Sequence, residues 1–183
     1  GSGDYVFEET SATQGSKTIQ VPVGTYDVVE NEADGYTTTY DGCEDITLGL
    51  GESATCTITN DDVAPTLKIV KYVTNDNGGT LTADNFGIKI GNSNVVFGAA
   101  VETNGSTKKY QSSIVATANT EYTVSEEDVA GYAEGTWLCT NNDDETSNLY
   151  ITTTPAEGED VVCTITNDDI ASSLTLIKVV AKD

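Results

Sequence analysis

The chain contains no histidine, no methionine and no arginine. Without histidine the usual base of Ser-His and Cys-His nucleophile pairs is missing, as is the commonest zinc ligand. Eight lysines face thirty acids, a net charge of −22. That balance excludes nucleic acid as a partner, because affinity for phosphate rests on cationic contacts. No Walker loop and no zinc-type cysteine spacing occurs, so neither a metal nor a cofactor is expected. So many carboxylates can hide a glycosidase pair, but a solvated, self-repelling surface accounts for them more simply. No helical period persists for ten residues. The longest apolar run, VVFGAAV at 95–101, is too short to span a bilayer. No signal peptide opens the sequence, which starts GSGDYVFEE and so reads as a processed mature protein or a cut piece.

What is present is β-forming. Thr, Val, Tyr and Ile are frequent, and Gly, Asn and Asp clusters punctuate short alternating apolar runs. This pattern reads as an all-β sandwich, and 183 residues suffice for one or two small domains.

The sequence repeats. CTITNDDVAPTLKIVKYVTND at 56–76 is nearly restated as CTITNDDIASSLTLIKVVAKD at 163–183. Upstream, GTYDVVENEADGYTTTYDGC at 24–43 resembles TEYTVSEEDVAGYAEGTWLC at 120–139. The second copy carries a longer loop between its cysteines, filled by NNDDETSNLYITTTPAEGE. It also has an opening, LKIVKYV, then the turn-rich TNDNGGTLTADN, then NFGIKIG. The first copy lacks that opening, and its YVFEE corresponds to FGIKI. The expected organisation is an incomplete sandwich over 1–64, a complete one over 65–170 and a spare strand over 171–183.

A sandwich without an edge strand exposes backbone groups and an apolar cleft, and a lone strand is not stable in water. Each defect suits the other. Strand addition from one chain to the next, repeated head to tail, gives a filament. The expected partner is therefore another copy of the chain, with Leu174, Leu176 and Val180 filling the cleft. The alternative is a two-repeat slice of a longer tandem array. The four cysteines pair within repeats, Cys43 with Cys56 and Cys139 with Cys163, which suits an oxidising compartment. Free buried thiols are the alternative.

Strand alternation then sets polar residues among core positions. Leu67, Ile69, Lys71 and Val73 share a face, as do Leu174, Leu176, Lys178 and Val180. Cys56, Ile58 and Asn60 align, as do Cys163, Ile165 and Asn167. Tyr26, Val28 and Glu30 match Tyr122, Val124 and Glu126. Burying such groups unpaired costs several kcal/mol, roughly 2–7 for a neutral polar group, and a buried ammonium tends to lose its charge. Two solutions exist. One is a hydrogen-bonded ionic cluster. The other is an isopeptide bond, formed when a neutral lysine attacks the asparagine amide, a carboxylic acid shuttles protons and ammonia leaves.

The order of these features, Lys on the first strand, then Y-x-V-x-E followed by Gly-Tyr, then Asn on the last strand, resembles the Cna-B-type domains. These are prealbumin-like or transthyretin-like, Ig-like antiparallel β-sandwiches of surface adhesins and pilins. Many close a Lys–Asn or Lys–Asp isopeptide with a catalytic Glu. The resemblance implies two such domains, the first lacking its first strand, in an extracellular, cell-surface protein. It makes Lys71 and Asn167 partners with Glu126 as acid–base. It makes Glu30 and Asn60 the first domain's share of a second site, whose lysine is Lys178. Turnover of an external substrate is not implied. The cysteine pairs, and Asp34 and Ala130 where the family usually has proline before Gly-Tyr, depart from the pattern.

Weaker signals remain. TNDNGG and NNDDE offer oxygen ligands for calcium, but EF-hand spacing fails at Phe86, and turn chemistry accounts for Asn-Gly and Gly-Gly. Asn104-Gly105-Ser106 is a glycosylation triplet. Tyr40 and Trp137, each shortly before a cysteine, are expected to pack on the disulfides.

Overall fold

The computed structural model describes residues 9–11, 14–141 and 150–181. Most of YVFEE and of NNDDE therefore lies outside the described residues. The chain divides into two compact units, 1–31 with 38–60, and 32–37 with 61–183.

The first unit is built of short antiparallel ladders. Strands β1 (Glu9–Ser11) and β2 (Gln14–Gly15) pair, as do β3 (Gly24–Tyr26) and β5 (Ile46–Leu48). Strand β4 (Tyr36–Asp41) pairs with β6 (Thr57–Asp62). The Cys43–Cys56 disulfide joins the end of β4 to the start of β6. Cys43 is the only fully buried residue among the unit's described residues. Its inward-facing Val28, Ile46, Leu48 and Ile58 are only half-buried.

The second unit forms two sheets. One has the order β10 (Glu102–Asn104), β11 (Thr107–Val115), β7 (Thr66–Thr74), β16 (Asp160–Asp169), β13 (Tyr132–Glu134), with β14 (Leu138–Cys139) also on β16. The other runs β15 (Tyr150–Thr153), β12 (Tyr122–Ser125), β8 (Lys89–Ile90), β9 (Ser93–Asn94). Their apolar faces enclose Leu67, Ile69, Val73, Phe86, Val124, Trp137, Ile151 and Ile165. The all-β reading holds, with a single 3-10 turn (Ala83–Phe86) as the helical element among the described residues. Among this unit's described residues pairing is antiparallel except at the centre, where β7 and β16 run parallel. The first and last strands of the domain lie side by side, and the whole sandwich serves as the crossover that parallel pairing requires.

Residues 170–181 follow β16 without regular structure. Leu174 and Leu176 are 84% and 85% exposed, and Ile177, Val179 and Val180 are also exposed. Asn104-Gly105-Ser106 sits at the β10–β11 hairpin, where Gly105 adopts φ +60°, a conformation that favours glycine. Turn geometry thus explains the triplet.

Candidate functional site

Strand β7 alternates as the sequence demands, and Leu67, Ile69, Lys71 and Val73 all point inward with no exposed surface. In the β7–β16 ladder Lys71 stands beside Ile165, and Val73 beside Asn167. From β12 the chain continues into Glu126. These three polar residues converge. Lys71 Nζ donates to Glu126 Oε2 at 2.5 Å and to Asn167 Oδ1. Glu126 is 6% exposed and Asn167 is fully enclosed.

Phe86, delivered by the 3-10 turn, puts its ring 4.2 Å from Lys71 Nζ. The turn ends at Gly87, whose φ of +56° lets the chain reverse. Phe86 is itself held edge-on by Tyr132, with centroids 5.3 Å apart. Nothing in the alternation of strands marks Phe86 as a neighbour of the lysine, because it lies on neither repeated strand.

Burial drives the Lys71 ammonium down to about 8, against the stabilising charges of Glu126 and, more weakly, Glu134. A group with that value carries an appreciable neutral fraction near pH 7, which a nucleophile requires. Among the described residues, four buried side-chain atoms have no hydrogen-bond partner: Glu126 Oε1, Asn167 Nδ2, Glu134 Oε1 and Trp137 Nε1. Glu134 is directly opposite Asn167 on β13. It escaped the sequence reading, although its two-residue spacing from Tyr132 places it on the inward face.

The arrangement suits amide exchange. A neutral Nζ can attack Asn167 Cγ, the Cγ–Nδ2 bond breaks, and ammonia departs. Lysine begins with three protons on Nζ and ends with one, so a carboxylate must take up a proton; Glu126 is placed to do so.

The first unit holds a related but incomplete set. Asn60 Nδ2 donates to Glu30 Oε2 at 2.9 Å, and Thr38 Oγ1 donates to Asn60 Oδ1 at 2.7 Å. Glu30 and Asn60 are exposed, and among the described residues no lysine bonds to either. Lys178 lies on the exposed tail. Tyr40, expected against the disulfide, is exposed, and its hydroxyl accepts the Glu30 N–H at 3.1 Å. Trp137 packs in the same core as Cys139 and Cys163, which form the second disulfide across paired positions of β14 and β16.

Two other acidic groupings are accounted for structurally. Asp76, Asp168 and Asp169 bring carboxylate oxygens within 4.8 Å of one another. Both Asp169 oxygens, however, accept backbone N–H groups from Asp76, Asn77 and Gly79. The TNDNGG loop thus wraps an anion of its own chain. A surface groove is lined by Asp84 and Glu127, but Asp84 accepts the Phe97 N–H at 2.9 Å and Glu127 pairs with Lys89 at 2.7 Å.

Two SpaA-type family models, each described as a prealbumin-like fold domain, match the chain, one over residues 62–165 and the other over residues 1–62. A search of curated proteins and a search of solved structures each returned no match.

Proposed function

The chain belongs to the SpaA-type prealbumin-like fold domains, and from that premise we propose that it is the structural subunit of an extracellular filament or pilus, polymerising head to tail. Such domains point to a structural role in a pilin or adhesin stalk at the cell surface. In the proposed assembly, residues 171–183 of one subunit complete the first unit of the next. Lys71 and Asn167 close an isopeptide within each subunit, aided by Glu126. Lys178 and Asn60 close one between subunits, aided by Glu30. This is single-turnover self-chemistry.

One observation carries the reading. Val28, Ile58, Glu30 and Asn60 are half-buried or exposed, whereas their repeat counterparts Val124, Ile165, Glu126 and Asn167 are buried. β7 pairs with β16, which carries Ile165 and Asn167, and its Lys71 bonds Glu126, whereas among the described residues β6 pairs only with β4. The tail repeats the β7 pattern. If it docks as β7 does on β16, it runs parallel to β6 with Leu176 beside Cys56, Lys178 beside Ile58 and Val180 beside Asn60. Burial of Leu174, Leu176 and Val180 contributes about 1.5–3 kcal/mol each.

The test is mass spectrometry of reduced, boiled material beside a denaturing gel. The expected result is a ladder of multimers in which Lys178 and Asn60 peptides are joined with loss of one ammonia. Deleting residues 173–183 should abolish assembly, and polymerisation that persists refutes the donor strand. A monomer lacking one ammonia leaves the internal bond and favours a two-repeat stretch of an adhesin stalk.

A further inference from the structure

The Lys71–Asn167 reaction has an unfilled requirement. Glu126 Oε2 and Asn167 Oδ1 are both engaged by Nζ, so the groups that prepare the nucleophile are already in place. The leaving group is not provided for. An amide nitrogen departs only after it gains a proton, and Asn167 Nδ2 is buried with no partner. Glu126 Oε2 is engaged by the lysine, and its Oε1 is buried without a partner, as Asn167 Nδ2 is.

Glu134 stands opposite Asn167 in the β13–β16 ladder. Directly opposed residues share a face, with Cβ atoms about 4.5–5.5 Å apart, within reach of a glutamate side chain that changes rotamer. Its Oε1 is buried and likewise unpartnered. The first unit shows that this position reaches the carboxamide. Aligning GYTTTYDGC with GYAEGTWLC puts Thr38 at the place of Glu134, and Thr38 Oγ1 bonds Asn60 Oδ1 at 2.7 Å.

Building on the isopeptide reading above, we infer that Glu134 is the second carboxyl of this site, the acid that protonates the departing Asn167 nitrogen. Glu126 takes one proton from the ammonium and frees the Nζ lone pair. Nζ bonds to Cγ. Glu134 passes its proton to Nδ2, the Cγ–Nδ2 bond breaks, and ammonia leaves. The proton that Nζ sheds on becoming an amide restores Glu134. For this role Glu134 must hold a proton when the bond breaks, whereas its ionised form is the one that supports the Lys71 ammonium. Burial, then the charges of Asp128 and Glu126, hold its carboxyl above the usual range, with Lys71 opposing them. The two sites of the chain therefore differ in chemistry: one offers two carboxyls, the other a carboxyl and a threonine hydroxyl.

The experiment follows ammonia loss by intact mass during cell-free synthesis of the full chain, in a Lys178→Ala background so that only the internal site reports. Lys71→Ala is the zero. Glu134→Gln should slow the loss by about 10²-fold. It should also remove the fall in rate that the parent shows as pH rises and Glu134 ionises. Glu134→Thr, which copies the first unit, should also be slow, and thermal melts of each variant report folding. Parental rate and pH profile in both variants overturns the inference while leaving the isopeptide reading intact. A parent whose mass equals that expected from its sequence, with no more ammonia lost than from Lys71→Ala, overturns that reading, and this inference with it.

Discussion

Lys71 concentrates the energetics of the second unit in one side chain. Its ammonium is enclosed by Phe86, Glu126 and Asn167, and burial lowers its proton affinity to about 8. The ordinary lysine value is 10.5. Between these values the unfolded chain holds a proton that the folded chain has released, so stability rises with pH across that window and the penalty is complete below it. An Asn167→Ala variant cannot close the bond and keeps Lys71 and Glu126. Its urea midpoint should rise from pH 8 to pH 10 relative to the same variant carrying Lys71→Met. A flat difference between the two argues against a lysine destabilised by burial. In that background both Lys71→Ala and Lys71→Met leave the Glu126 carboxylate unpaired, but Lys71→Ala should be the more destabilising because it also leaves a cavity. Removing one partner of a buried pair costs about 3–5 kcal/mol.

At the scale of strands, the two-residue period did most of the work. It put Lys71, Glu126 and Asn167 on inward faces, and the repeated words pointed to both disulfides, whereas Glu30, Asn60 and Lys178, read the same way, are exposed. What stayed hidden belongs to elements without a period. Phe86 arrives on a 3-10 turn of four residues. Glu134 sits on a three-residue strand and looked like one acid among thirty. The parallel β7–β16 pairing is also invisible locally, since alternation is the same for either direction. The TNDNGG loop shows how turn residues and a distant acid cooperate. Burial works against the Asp169 carboxylate, but N–H groups of Gly79, Asn77 and Asp76 and the Asn77 side chain outweigh it, holding its proton affinity below the ordinary value. Its stabilisation is thus present at neutral pH and lost as pH falls through that depressed value. Asp169→Asn should lower the melting temperature at pH 7, and the gap to the parent should narrow in acid. An unchanged melting temperature would mean that the loop holds its shape without the anion.

For the whole molecule, a net charge of −22 opposes the meeting of identical subunits. Screening length falls from roughly 30 Å at 0.01 M salt to about 8 Å at physiological strength. Proposed head-to-tail growth, followed by light scattering, should therefore accelerate over that range. Growth that slows with salt would point to attraction between charges at the junction, where Lys178 is the incoming cation.

The side-by-side parallel arrangement of β7 and β16 has a mechanical consequence. The polypeptide enters the second unit on one of these strands and leaves on the other, both pointing the same way. Tension applied through the two ends slides the strands past each other and strains their ladder along its length, where an end-first peel would break one bond at a time. A covalent link between Lys71 and Asn167 would join the same two strands directly. Pull would then pass from one end of the domain to the other across a single side-chain bridge, and the rest of the sandwich would carry no load.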